Sequence, residues 1–274
     1  MFAKLLKHDF KANAGLLGLL AGCALGIGCI AAVILRLLTT YWDQLNAKDE
    51  YVLLIIPAFL FLFFAYLAII FYSAASQYIL LFRFYKSRFT DEGYLMFTLP
   101  VKTSHIFLSG AVNLLIWLAI SVVVVCASFA IAVGLGPAWS LEAQGEFRWV
   151  LEDMRLTFSE VITPGYAVTT VIYMVVASIY GIITPLSAVV LGSTVAKKHK
   201  VLTIIGIMIG ISMVTSTVNG IISGIMQFLM IASEEYISAY TTLTPLLSSI
   251  FMLLVTIGGY FLSVTLMKKK LNLP

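Results

Sequence analysis

Six apolar runs dominate this sequence: Gly15 to Leu38, Val52 to Leu81, Ile106 to Leu135, Tyr166 to Ala196, Val201 to Ile231 and Leu243 to Met267. Each exceeds the roughly 20 residues that carry a helix across about 30 Å of hydrocarbon. A chain built this way has the bilayer as its main solvent. Its composition agrees: 61% of residues are hydrophobic and 11% charged, against about 25% charged in soluble domains. The expected fold is an all-α membrane protein, one transmembrane domain over residues 1–274 with six spans. The first run is too long for a signal-peptide core and carries no small-residue cleavage site, so it is expected to stay in the mature protein.

The formal net charge of +4 says less than where each sign sits. With the N-terminus inside, the inner segments hold 13 of the 17 basic residues: Lys4, Lys7, Lys11, Arg83, Lys86, Arg88, Lys102, Lys197, Lys198, Lys200, Lys268, Lys269 and Lys270. Only Asp9, Asp91 and Glu92 accompany them, whereas the outer segments hold ten acids and Arg36, Lys48, Arg148 and Arg155. Such a bias places both termini in the cytoplasm. It also explains the positive charge without invoking nucleic acid as a partner. Trp42, Trp139 and Trp149 fall near outer span ends, where an amphipathic ring suits the headgroup level, and Trp117 lies mid-span.

Ahead of the first span, residues 1–14 set Phe2, Leu5, Leu6 and Phe10 on one helical face and Lys4, Lys7, His8 and Lys11 on the other. This periodicity predicts an interfacial helix in contact with membrane lipid. The second run continues past Leu81 through Phe82-Arg83-Phe84-Tyr85. A helix from Val52 to Lys86 is roughly 50 Å long and must protrude on the inner side. There Thr90 offers an N-cap, Asp91 and Glu92 complement the positive helix end, and Pro100 stops a short helix carrying Tyr94, Leu95, Met96, Phe97 and Leu99. A protein partner, the membrane face or the chain's own helices must cover so apolar a surface. On the outer side, Phe147, Val150, Leu151, Met154 and Phe158 recur at helical spacing within Glu146 to Glu160, predicting an outer amphipathic helix between the third and fourth spans.

The span interiors hold no Asp, Glu, His or Lys, the groups that proton or sodium coupling leaves in a membrane. A self-powered transporter would have to rely on carbonyls and hydroxyls. No Gly-Lys pair, and hence no phosphate loop, occurs in the chain, and neither a Gly-x-Ser-x-Gly elbow nor a His-Glu-x-x-His pair is present. No catalytic role is therefore expected, and any ATP hydrolysis must belong to another chain. Cys23, Cys29 and Cys126 lie within apolar runs without metal-ligand spacing, so they are expected as buried small hydrophobes and no metal site is expected.

What the spans do hold is uncharged polarity, with Asn113, Thr169, Tyr173, Thr215, Ser216 and Asn219 as candidate lining of a path. Such groups either hydrogen-bond between helices or line a cavity. The run Thr215-Ser216-Thr217-Val218-Asn219-Gly220 is dense enough to predict a polar inner surface or a break in the fifth helix. Glycines repeat every four residues at Gly18, Gly22 and Gly26, at Gly206 and Gly210, and at Gly220 and Gly224, a spacing for tight packing within the subunit or across a dimer seam. Pro57 and Pro185 predict kinks.

The amphipathic N-terminal helix, the long second span and the inner motif Asp91-Glu92-Gly93-Tyr94-Leu95-Met96-Phe97-Thr98-Leu99-Pro100-Val101 resemble the ABC-2-type permease subunits of Gram-positive bacterial ABC exporters. The likeness covers nearly the whole chain in layout, and the inner motif is its specific part. It implies a six-helix permease in the bacterial cytoplasmic membrane that pairs with a second permease, like or unlike. Two ABC ATP-binding subunits, which bind the ATP and Mg, are separate chains; this chain carries no cofactor. The resemblance places a coupling helix on Asp91 to Leu99, a connecting helix on Phe2 to Asn13, and short re-entrant helices within Met226 to Pro245. Exporters of amphipathic peptides, such as phenol-soluble modulin exporters and bacteriocin self-protection systems, are among the relatives it suggests. The competing readings are a nucleotide-independent transporter or channel, and a membrane immunity or scaffold protein that transports nothing.

Overall fold

A computed structural model describes residues 2–41, 52–90, 102–135, 148–149, 152–153, 164–196, 198–232 and 237–269. It is all-helical there, with six long helices: α1 Phe2–Thr40, α2 Val52–Phe89, α3 Thr103–Leu135, α4 Pro164–Val195, α5 Lys200–Ala232 and α6 Ile237–Lys269. All six are long and apolar enough to cross a membrane, as a multi-pass integral protein requires. Within the bilayer a continuous helix satisfies its own backbone groups. Pro57, Pro185 and Pro245 lie inside α2, α4 and α6, which run on through them.

The chain forms two compact units, and the boundaries at residues 7/8, 80/81 and 115/116 fall inside α1, α2 and α3. One comprises His8–Leu80 and Ile116–Phe158, and so contains most of α1, the first part of α2 and the later part of α3. Its core joins Ala31 and Leu38 of α1, Leu62 and Ala65 of α2, and Ala132 of α3. Phe10 stacks on Trp117 at 5.1 Å, and further along the same helices Gly28 meets the Ser128 backbone, so α1 and α3 run parallel. The α2 strand of the packing is opposite in sense: Tyr66 stacks on Phe129 at 5.1 Å, and later in α2 Ser76 meets Ser121, earlier in α3. This is an up-down-up arrangement, as three successive membrane crossings demand.

The other unit comprises Met1–Lys7, Leu81–Leu115 and Ser159–Pro274. Here α4 packs on both α5 and α6. Gly165 lies against Thr242 and Ser187 against Gly259, which makes α4 and α6 parallel. The pair α4 and α5 is an antiparallel hairpin, with His199 just before α5 at φ 57°. Histidine is among the residue types that tolerate this left-handed region. The Ala196 N–H donates to Gly192 O at 3.2 Å and the Thr203 N–H to His199 O at 3.2 Å, closing the two helix ends onto the turn.

Several expectations change. Residues 2–13 are helical, with Lys4, Lys7, His8 and Lys11 exposed, but they run without a break into the first span instead of forming a separate interfacial helix. The half-buried Phe2 and Phe10 meet α3, edge-on to His105 at 6.2 Å and stacked on Trp117. The anticipated break in the fifth helix is absent, because Thr215 to Gly220 lie within the continuous α5. Cys23, Cys29 and Cys126 are exposed free thiols, not buried ones; a small apolar side chain is equally at home against lipid, where facing outward costs nothing. Of the stretch Met226 to Pro245, residues 226–232 finish α5 and residues 237–245 begin α6, and no separate short helix occurs among the described residues.

Candidate functional site

At its C-terminal end, α2 is fixed to the start of α3 by Arg88, whose side chain is only 2% exposed. Its Nη2 donates to Ser109 Oγ at 3.1 Å and its Nη1 to Ser87 Oγ at 3.1 Å. The guanidinium carbon stands 4.4 Å from the centroid of the Phe84 ring, a cation–π contact. Phe84 in turn fills the space that a side chain at Gly110 would occupy, and it meets Phe89 and Phe107. Phe107 continues to Tyr260 of α6 at 5.7 Å. Hydrogen bonds from both terminal nitrogens and cover for the planar face offset part of the cost of burying this charge. This Arg-aromatic cluster is the root from which residues 91–99 leave α2, and the Thr90 hydroxyl donates back to Lys86 O there. The expected coupling residues Asp91, Glu92, Gly93, Tyr94, Leu95, Met96, Phe97 and Leu99 themselves lie outside the described residues. So does the segment 146–160 except for Arg148, Trp149, Glu152 and Asp153, which are helical.

The candidate lining residues divide by role. Thr215 is buried and accepts a hydrogen bond from Tyr180 Oη of α4 at 2.8 Å, which joins α5 to α4. The Thr169 hydroxyl donates back to Gly165 O at 3.0 Å, within its own helix. Asn113 is buried in α3 with its Oδ1 unpaired, and Tyr173 is half-buried on α4. Among the described residues no hydrogen bond links Asn113, Thr169 or Tyr173 to α5. Between α3 and α4 lies a cleft of about 100 Å³ lined only by Ala111, Val112, Leu115, Ile179, Ile182 and Ile183, so the polar residues do not converge there.

Ser216, about 100° around the helix from Thr215, is exposed and belongs to a longer stripe. Ser212, Ser216, Asn219, Ser223 and Gln227 recur at helical spacing along one face of α5. Ser212, Ser216 and Gln227 are exposed and Asn219 and Ser223 half-buried, with Asn219 Oδ1 unpaired. The spacing of Ser212, Ser223 and Gln227 is readable in the sequence, beside the denser polar run at 215–220. None of the glycines Gly206, Gly210, Gly220 and Gly224 of α5, nor Gly18, Gly22 and Gly26 of α1, has a neighbour within 4 Å of where a Cβ would stand. Neither family models, nor curated proteins, nor solved structures yield a match to this chain.

Proposed function

We propose that this chain is the transmembrane permease subunit of an ATP-driven exporter, oriented with both termini in the cytoplasm. It forms the path for an amphipathic or hydrophobic cargo, a peptide above all, and draws its power from a separate ATP-binding chain. The observation that carries the reading is the uncharged stripe of α5, turned outward along a membrane-spanning helix. Polar side chains on an exposed face are poorly matched to lipid alone. They suit a lining in which weak hydrogen-bonders pass an amphipathic molecule without trapping it. On this reading Ser216 and Asn219 face the central seam between two permeases, while Thr215 holds α5 to α4.

The second support is the inner motif 91–101, which resembles the coupling segment of ABC-2 permeases and follows directly on the rigid Arg88 cluster. Dimerisation of ATP-binding chains beneath the membrane would then rock the spans as bodies. The test is purification from native membranes, followed by ATP-dependent uptake of an amphipathic peptide into inverted vesicles. An ATPase should co-purify, and Tyr94→Asp with Phe97→Asp should abolish uptake. Absence of any ATPase partner, together with undiminished transport by the double variant, rejects the proposal. Uptake without nucleotide would favour a channel.

A further inference from the structure

In the unit formed by Met1–Lys7, Leu81–Leu115 and Ser159–Pro274, contacts set α3 and α4 antiparallel. Phe107, near the start of α3, meets Tyr260 of α6, and the adjoining Gly259 meets Ser187, toward the end of α4. The start of α3 and the end of α4 therefore share one end of the unit. Farther from that end the two helices part around the apolar cleft of about 100 Å³. Ala111 and Ile182 are buried there, whereas Leu115 and Ile179 are exposed at its edge. Ala111 to Leu115 stand about 12–18 Å along α3 from Thr103, roughly the depth of one leaflet's hydrocarbon.

A lining of Ala, Val, Leu and Ile side chains cannot hold water, and left empty it would forfeit contacts along its walls. In a bilayer the molecules that reach this depth carry hydrocarbon chains. What selects among them is the charge at the end of the unit. Lys102 precedes α3 and Lys198 follows α4, both exposed, and Lys200 opens α5. Among the described residues this unit contains no Asp or Glu to offset the three ammonium groups. Lysines at a span end lie at headgroup level, where each adds attraction for an anionic lipid.

We propose that the α3–α4 cleft, with Lys102, Lys198 and Lys200 at its headgroup end, binds an anionic phospholipid. One acyl chain fills the cleft, and the phosphate lies among the lysines. The chain is recognised by fit and the headgroup by sign. A zwitterionic lipid fills the cleft equally well but brings its own cation to the lysines, which weakens its hold. The inference stands apart from the proposed export function, since it concerns which lipid this unit holds whatever the chain transports.

The test uses the full chain in phosphatidylcholine nanodiscs doped with a phosphatidylglycerol that carries a diazirine in one chain. Adducts are located by peptide mass spectrometry and should concentrate in residues 111–115 and 179–183. A matched phosphatidylcholine probe should give about a tenth of the yield, and Lys102→Gln with Lys198→Gln and Lys200→Gln should cut the phosphatidylglycerol yield about tenfold, as loss of several near-surface cations implies. Lys268→Gln with Lys269→Gln, at the end of α6, should leave it unchanged. Val112→Phe, which fills the cleft, should displace the adducts; where that variant does not fold, the two probes and the lysine variants decide. Adducts spread over all six helices, or equal yields from the two probes, overturn the proposal in favour of ordinary boundary lipid. Equal losses in both lysine variants overturn it in favour of a diffuse surface potential. A triple lysine variant that keeps its adducts but loses a co-purifying protein overturns it in favour of an acidic protein partner.

Discussion

Gly192 sits at a close approach of α4 to α5. A Cβ there would stand 2.8 Å from the Ile204 Cα and 2.9 Å from its N, backbone atoms that cannot turn aside as a side chain can. Gly192→Ala should therefore cost about 1–3 kcal/mol, the usual range for overpacking a tight contact. Gly206→Ala, into open space on α5, should be neutral or gain up to about 1 kcal/mol in helix propensity. Thermal unfolding of both variants in detergent checks the contrast, and a Gly192→Ala protein that melts like the parent removes it. The contrast also shows where the sequence misleads. Repeating glycines at 18, 22 and 26 stand out by spacing, yet the close contacts are made by Gly28, Gly110, Gly165, Gly192 and Gly259, which carry no shared period. A helix approach is decided by the partner surface as much as by the glycine, and one helix's sequence does not contain its partner.

Between elements, Arg88 supplies the specific link from α2 to α3 at the end where residues 91–99 begin. Two of its nitrogens donate to serines while its flat face covers Phe84, a combination that a lysine cannot reproduce with one rotatable ammonium. Arg88→Lys should lower stability although charge is retained. Ser109→Ala should cost about 1.5–3 kcal/mol, as loss of a hydrogen bond to a charged group does. Detergent unfolding curves for the two variants, set against Ser87→Ala at the more exposed end, measure the link, and equal midpoints for Arg88→Lys and the parent would remove it. Neither contact has a periodic signature. Arg88 reads in the sequence as one more inner-side cation, and its burial follows from the aromatic rings of α2 and α3 that close over it. The long second helix is by contrast legible, because an apolar run continuing into Leu81-Phe82-Arg83-Phe84-Tyr85 offers no cap or break before Phe89.

For the molecule as a whole, a bilayer forces length and apolarity on each crossing, and this is why six spans can be read from the sequence, each overlapping one of the six long helices. Which helices touch is not readable in the same way. Leucine is no more at home inside the protein than against lipid, so no hydrophobic stripe separates inner from outer faces, and exposed Cys23 and buried Ala24 stand side by side. Orientation rests on a different quantity, the asymmetry of charge. By that asymmetry Lys198, between α4 and α5, is assigned to one side with 12 other cations, and Arg148 to the other with ten acids. The three native cysteines are exposed rather than packed, so their replacement by alanine leaves a background for single-cysteine labelling. In intact cells a membrane-impermeant maleimide should modify Arg148→Cys and spare Lys198→Cys, and in inverted vesicles the pattern should exchange. Labelling of Lys198→Cys from outside would reverse the assigned orientation, and with it place the segment 91–99 on the side where no ATP-binding chain could reach it.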